Sequence, residues 1–397
     1  MATAALDDLT VIDFSRVRAG PWCTQILGEL GAEIIKVERP GVGDTSRGSH
    51  PEQNGMGVNF IARNRNKKSI TLNLKDEEGR QIAEELIADA DVLVENYSTG
   101  VMERFGLGHE YLLTEVNPEL IYGSIKGYGE KGPKKNEKGV DLVMQAEGGI
   151  MSVTGPEGGE PVKVGQAIGD IGAGLYLTIA ILAALHQRDR TGDGQHVESN
   201  LFGTIVSFME EYITMYGITG QDPEPLGTRH QTGVPYELFD VKDGQVVLSI
   251  LGGGWETFVT EVIEDESILE YDTQQLRQEN YDELMAVIRP KLKQLTVEEV
   301  MEICKHYGFP CGPLNNVSDV VEHPQAEARD YVMEYEDETV GEVLLHGHPI
   351  HLSETERELR SGPPKLGEHT EKVLAEMLGL SREEIQRLRA SNVIDDE

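Results

Sequence analysis

Basic residues are scarce in this chain: 35 Lys and Arg stand against 70 Asp and Glu, giving a formal net charge of -35 and a pI near 4.6. Free nucleic acid is thereby excluded as a partner, because neutralising a phosphate backbone needs a basic footprint. Cysteine is equally sparse. Cys23, Cys304 and Cys311 are an odd number at spacings that fit neither a zinc site nor a disulfide framework, so no metal is assigned and a reduced interior is expected. The opening run MATAALDDLTVIDF lacks the basic start and long apolar core of a secretory signal. The longest apolar stretch, Ile171 to Leu185, contains two glycines and falls short of a membrane span. These absences predict a cytoplasmic protein without a membrane partner. No internal repeat is visible.

The acid excess runs through the helix face DEEGR, the stretch from Glu261 to Glu283 and the terminal Asp395, Asp396 and Glu397. Its plainest meaning is a solvated, self-repelling surface. Its sharper meaning is a halophilic, haloarchaeal-type cytoplasm, where molar salt shortens the Debye length to about 3 Å and cancels that repulsion.

With 397 residues and 39% hydrophobic content, the chain can bury the cores of two lobes. TVIDF, the loop SRVRAGP, a helix from Pro21 to about Leu30 and EIIKV read as a βαβ unit. SITLNL, the amphipathic DEEGRQIAEELIADA, DVLVENY and LIYGSIKGYG continue the alternation, which predicts an α/β fold with a mostly parallel sheet covered by helices. A long helix should begin at Asp170 and stop before Gly192 and Gly194, followed by the strand HVESNL and a helix over 201–218. The Pro- and Gly-rich segment 220–235 reads as a linker. The expected organisation is a large domain over 1–220, a smaller α+β domain over 221–330 carrying the strand VVLSI and a glycine run, and a C-terminal segment, 331–397, returning to the large domain.

Asp170 lies in VGQAIGDIGAGLYL, where a glycine-containing approach meets an apolar helix. Asp is favoured as a helix N-cap, yet the same helix terminus stabilises an ionised carboxylate, the form a nucleophile requires. The loop SRVRAGP sits after the first strand, the usual ligand position in an open α/β sheet. It lacks the GxGxxG spacing of a dinucleotide fingerprint. Lys36, Arg39, Arg63, Arg65, Lys67 and Lys68 gather before and within strands, either as ordinary turn residues or as a phosphate site. Gly252, Gly253 and Gly254 make either a plain turn or a mobile flap. His186, His306, His346, His348 and His351 read as ordinary structural histidines.

The order of VIDFSRVRAGP, LGAEIIKVERPGVGDTSR, NRNKKSITLNLK, ADVLVENYSTGVMERFGL, NPELIYGSIKGYGEKGP, DLVMQAEGGIMSVTG, IGDIGAGLYLTIAILAAL and RTGDGQHVESNL resembles the family III CoA-transferases, the formyl-CoA transferase and carnitine CoA-transferase family. The match is dense to about Leu201 and looser beyond. The resemblance implies a Rossmann-like large domain, an interlocked ring-like homodimer, and Asp170 as the catalytic carboxylate, with acyl-CoA and a small carboxylic acid as substrates and no prosthetic group. It implies CoA contacts at Val17, Ala19, Arg39, Leu72, Lys75, Asn96, Arg104 and Lys138. It also implies a covering loop at Gly252, Gly253 and Gly254, and an acid near the substrate at Asp141.

Two residues depart from the family pattern. Arg18 stands where relatives carry an uncharged residue, and a guanidinium fork there suits the distal carboxylate of a dicarboxylic acyl group such as succinyl or mesaconyl. Lys126 replaces a common Ser, with no assignable consequence from sequence. Two alternatives share the fold. An α-methylacyl-CoA racemase needs a His before the position of Asp141, where Val140 stands, so its proton transfer lacks one partner. A CoA-binding protein without chemistry leaves Asp170 unexplained.

Overall fold

The computed structural model describes residues 4–355 and 359–395. The first three residues of the N-terminal run and the acidic Asp396 and Glu397 lie outside the described residues. Strands β1 (Thr10–Asp13), β2 (Glu33–Glu38), β3 (Lys67–Thr71), β4 (Val92–Glu95), β5 (Ile121–Lys126) and β6 (Gln195–Asn200) form one sheet in the order 3-2-1-4-5-6. Every pairing is parallel. This is the doubly wound order expected of a Rossmann-like domain, and its winding reverses between β1 and β4. The chain therefore diverges beyond the carboxyl ends of those two strands and leaves a crevice there.

Helices α1 (Ala19–Glu29), α2 (Val58–Ile61), α3 (Glu77–Ala88), α4 (Val101–Arg104), α5 (Asp141–Glu147), α6 (Ile168–Thr191) and α7 (Leu201–Phe208) connect or follow these strands. Because strand side chains alternate, Ile12, Ile35, Leu93 and Tyr122 enter the core that includes α3, while Val11, Ile34, Val94 and Ile121 enter the core that includes α1, α6 and α7. Local chemistry agrees with this layering. Asp76 caps α3 by accepting from the Glu78 amide, and Ile82, Ala83, Leu86 and Ile87 form its buried stripe. Gly192, at φ +79°, ends α6 in the left-handed conformation.

The chain divides into two compact units. The first takes the residues up to Ile150, Val164–Thr214 and everything from Arg329 onward; the second takes Met151–Lys163 and Met215–Ala328. In the second, β7 (Tyr236–Asp240), β8 (Gln245–Ser249) and β9 (Cys311–Pro313) form an antiparallel sheet with β8 in the middle. Helices α8 (Tyr281–Leu292) and α9 (Val297–Tyr307) enclose a separate core around Phe239, Leu248, Phe258 and Ile288. The returning chain adds α10 (Thr370–Leu378) and α11 (Arg382–Ala390) to the core that includes α3.

Two expectations shift. The strand predicted over 69–74 runs from Lys67 to Thr71, because the Asn73 amide turns away to the Val393 carbonyl. The helix predicted over 201–218 breaks at Met209, whose amide makes a tighter bond to the Val206 carbonyl. Helix α6, at 24 residues, is long and apolar enough to cross a membrane, which the apolar run alone was not; half of its most apolar stretch is buried in the protein. On its buried side a Cβ at Gly174 would meet the Ala19 carbonyl oxygen at 2.6 Å and the Trp22 ring edge at 3.1 Å. Gly174→Ala should therefore destabilise the protein by about 1–3 kcal/mol, through forced separation of α1 and α6. Urea unfolding, with an unchanged slope and a lowered midpoint, is the measurement.

Candidate active site

The loop after β1 is held from below by buried ions. Asp13, at the end of β1, accepts from the Ser15 amide at 2.9 Å, the Ser15 hydroxyl, Thr24 Oγ1 at 2.7 Å and Lys67 Nζ at 3.1 Å. Lys36 donates to the Ser15 carbonyl at 2.7 Å and pairs with Asp44 at 3.2 Å. The Asp44 carboxylate accepts the Val17 amide at 3.1 and 3.0 Å, and Glu38 accepts the Asp44 amide and a two-point contact from Arg47. Asn96, following β4, clamps Arg16 from the other side through its amide at 2.9 Å and its carbonyl at 2.8 Å. Val17 consequently sits at φ +68°, a conformation that a β-branched residue adopts only when its surroundings enforce it. Burial alone would raise the Asp13 carboxyl, but Lys67 and Lys36 carry it down to about 2.

This pairing corrects part of the phosphate reading. Lys36 and Lys67 are spent inside the cluster, Arg65 is buried against Glu29, and Lys68 pairs with Glu33. Only Arg39 of the six gathered cations is exposed.

Asp170 is the third residue of α6, not its N-cap. Ala167 occupies the cap and has no side chain to offer the free amides. Asp141, at the start of α5, serves instead: its Oδ1 accepts the Gly169 amide at 2.8 Å and its Oδ2 accepts from Gln145 at 2.7 Å. Capping thus falls to one carboxylate and leaves the other open. The Asp170 carboxylate accepts no hydrogen bond among the described residues, and Arg18 Nε lies 3.9 Å from its Oδ2. Burial, followed by the charge of Asp141, raises Asp170 to about 6 against the opposing pull of Arg18 and Arg63. At neutral pH the group is ionised but poorly solvated, the condition under which a carboxylate is most reactive as a nucleophile.

Of the residues implied as CoA contacts, Arg39, Leu72 and Lys75 line one cavity of about 210 Å³ at the carboxyl ends of β1 and β2. Its wall also holds Arg16, Tyr97 and Phe105, which the sequence reading passed over. The Arg16 guanidinium lies 5.2 Å from the Tyr97 ring centre, and Phe105 meets Tyr97 edge-on at 6.4 Å. Their aromatic and basic character beside VENY was the available signal. Val17 is exposed on the adjoining loop, whereas Ala19 is buried. Asn96 is committed to its clamp on Arg16. Arg104, at the end of α4, and Lys138, just before α5, are exposed and do not line this cavity.

Gly252, Gly253 and Gly254 follow β8 in the second unit. Gly252 has φ +79° with open space where a side chain would be, and a Cβ on Gly254 would lie 2.5 Å from the Phe309 ring. Lys126 acquires a partner in the structure: it donates to buried Glu95 and to the Tyr97 carbonyl at 3.1 Å. Burial raises Glu95 to about 7 although Lys126 opposes it. His346 stacks on Trp22 at 5.1 Å and His348 meets the same ring edge-on. A further cluster was not singled out from sequence: possible ligand atoms of His109, His196 and Glu130 lie within 4.8 Å of one another. The two imidazoles are stacked at 4.1 Å and Ser124 engages His196 at 2.9 Å.

The doubly wound sheet and its ion-braced loop bring an open carboxylate, Asp170, beside the Arg18 guanidinium in an α/β domain. The chain matches the model of CoA-transferase family III over residues 6–370 and belongs to that family. It is 37% identical over 394 residues to the succinyl-CoA:glutarate CoA-transferase of Homo sapiens, covering 98% of this chain and 90% of that one. It is 35% identical over 383 residues to the succinyl-CoA:mesaconate CoA-transferase of Haloarcula marismortui, covering 94% and 96%. Among solved structures, a CAIB/BAIF family protein from Brucella suis superposes with a TM-score of 0.85 at 36% identity, covering 94% of this chain and all of that one. The protein is a CoA-transferase whose substrates are CoA thioesters.

The raised Asp170 carboxyl has a thermodynamic consequence. Its folded value, about 6, exceeds the ordinary 3.8, so the unfolded chain ionises first and the folded state is penalised as pH rises through 6. Asp170→Asn should stabilise the protein by about 2–3 kcal/mol at pH 8, with the gain shrinking below about 1 kcal/mol at pH 4. Denaturant titrations of both proteins at the two pH values measure it.

Proposed function

We propose that this CoA-transferase moves CoA from succinyl-CoA to a four- or five-carbon dicarboxylic acid, mesaconate being one candidate, with Asp170 as the covalent carrier. The observation that carries the reading is the Asp170 carboxylate, unbonded and raised in pKa, next to an Arg18 guanidinium whose Nη atoms have no hydrogen bond among the described residues. Asp170 attacks the thioester carbonyl and expels CoA thiolate, leaving a mixed anhydride. The thiolate attacks the aspartyl carbonyl, releasing succinate and leaving an aspartyl-CoA thioester. The incoming acid repeats both steps in reverse and frees Asp170. One difficult exchange is thereby divided into easier covalent steps.

Arg39, Lys75 and the aromatic wall of the 210 Å³ cavity support a CoA end there, with Val17, Ala19, Leu72, Asn96, Arg104 and Lys138 completing the contacts. Asp141 borders the acyl group, and the open space around Gly252 supports a mobile-loop role for Gly252, Gly253 and Gly254. Val140, the residue before Asp141, has no proton-transferring group, which disfavours a racemase. A cytoplasmic, interlocked homodimer is part of the same reading, and the charge of -35 supports a setting of molar salt.

Incubation with succinyl-CoA in high salt should leave a CoA-sized adduct on the peptide containing Asp170, discharged by mesaconate and absent from Asp170→Ala; mass spectrometry reads it. Deuterium exchange at the α-carbon of a branched acyl-CoA, with no adduct, would replace transferase by racemase. The acid limb of the kcat/KM profile should bend near pH 6, because protonation removes the nucleophile. Arg18→Gln should raise the KM of a diacid more than that of a monoacid.

A further inference from the structure

Arg63 follows α2 and is 7% exposed. Its guanidinium is held by one neutral residue: Nη1 donates to the Asn59 carbonyl at 2.7 Å, and both Nη atoms approach Asn59 Oδ1 at 3.3 Å. Its neighbours in the same segment differ, since Arg65, Lys67 and Lys68 each have a carboxylate partner. Arg63 forms no ion pair among the described residues. A buried cation is normally paired, because its desolvation is otherwise uncompensated.

Asn59 fixes the Arg63 stem near the site without neutralising it. Arg63 is within electrostatic reach of Arg18, Asp170 and Asp44: burial, then the like charge of Arg18, lowers it to about 10, while Asp170 and Asp44 oppose. The local acids do not balance these two cations. Asp141 is occupied by the α6 amide and Gln145, Asp44 is paired with Lys36 and the Val17 amide, and Asp170 must be free to react. A substrate with a second carboxylate would supply the missing charge, and a monocarboxylate would not.

We propose that Arg63 is the second cation of the acyl-group site, binding with Arg18 the distal carboxylate of a dicarboxylic acyl group. The proposal rests on the dicarboxylate reading above and names the residue through which the diacid is selected. Asn59 is its positioning residue. Planar guanidinium groups on both sides hold a carboxylate by directed pairs of hydrogen bonds, and a chain ending in methyl would leave Arg63 buried without a counter-charge.

The test is steady-state transfer from succinyl-CoA to glutarate and to pentanoate, acids of equal chain length, by wild type, Arg63→Met and Arg63→Lys. In Arg63→Met the glutarate KM should rise at least tenfold while the pentanoate KM stays within twofold, so the wild-type preference for the diacid collapses. Arg63→Lys, retaining charge without the fork, should lie between. If both acids lose kcat/KM equally, or neither changes, Arg63 does not select the diacid and the proposal fails. Should Arg63→Met not fold, the lysine variant decides by the same split between the two acids. The wild-type reaction separates the levels: no transfer to any diacid overturns the functional reading itself, whereas transfer with an acid-independent Arg63 effect overturns this inference alone.

Discussion

The pairing of three carboxylates with three cations beneath the first loop is the constraint on which the rest of the site depends. Asp13, Glu38 and Asp44 meet Lys36, Arg47 and Lys67 in space supplied by β1, β2, β3 and the segment after β2. The balance is mutual. Removing one partner of such a pair strands a buried charge, at a cost of about 3–5 kcal/mol. Its local effect is geometric: Asp44 below and Asn96 beside the loop force Val17 into its unusual conformation, and the next residue, Arg18, is thereby placed against Asp170. A basic residue on an unconstrained loop would have no such address.

The second principle of the site is division of labour between acids. A carboxylate that caps a helix is stabilised by amides and made less reactive by them. Here Asp141 accepts one of those amides while Asp170, three residues beyond the cap position it might have filled, receives none among the described residues. Proximity of the two charges helps to raise Asp170, and the two arginines keep it from rising further. The outcome is an acid that is ionised at neutral pH yet weakly solvated.

Much of this was legible from sequence because periodicity and breakers are local. Gly192 ends α6 where expected, and the alternation of strand and helix through HVESNL predicted the parallel sheet. The ordered motifs named Asp170 and Arg18, which the fold brings to 3.9 Å, and Arg39, Leu72 and Lys75, which it brings to one cavity. What escaped was set by tertiary pairing. Nothing in ARNRNKKS says that Arg65, Lys67 and Lys68 find acids while Arg63 does not, and nothing in GVDLVMQA says that Asp141 will cap a helix beginning at Ile168. The same holds for Lys126, whose partner Glu95 stands on the adjacent strand.

The order of the chain also has a consequence for its synthesis. Val373, Leu374, Ile385, Leu388, Val393 and Ile394 complete one face of the parallel sheet, although they are made after the entire second unit. Domains generally fold as units during translation, N-terminal ones first. For this chain the rule gives an inverted schedule: the second unit holds all of its own core before the first does. On the ribosome, the six-stranded sheet must wait with an apolar face uncovered until the last helices emerge, and that nascent interval is where chaperone binding or aggregation would act.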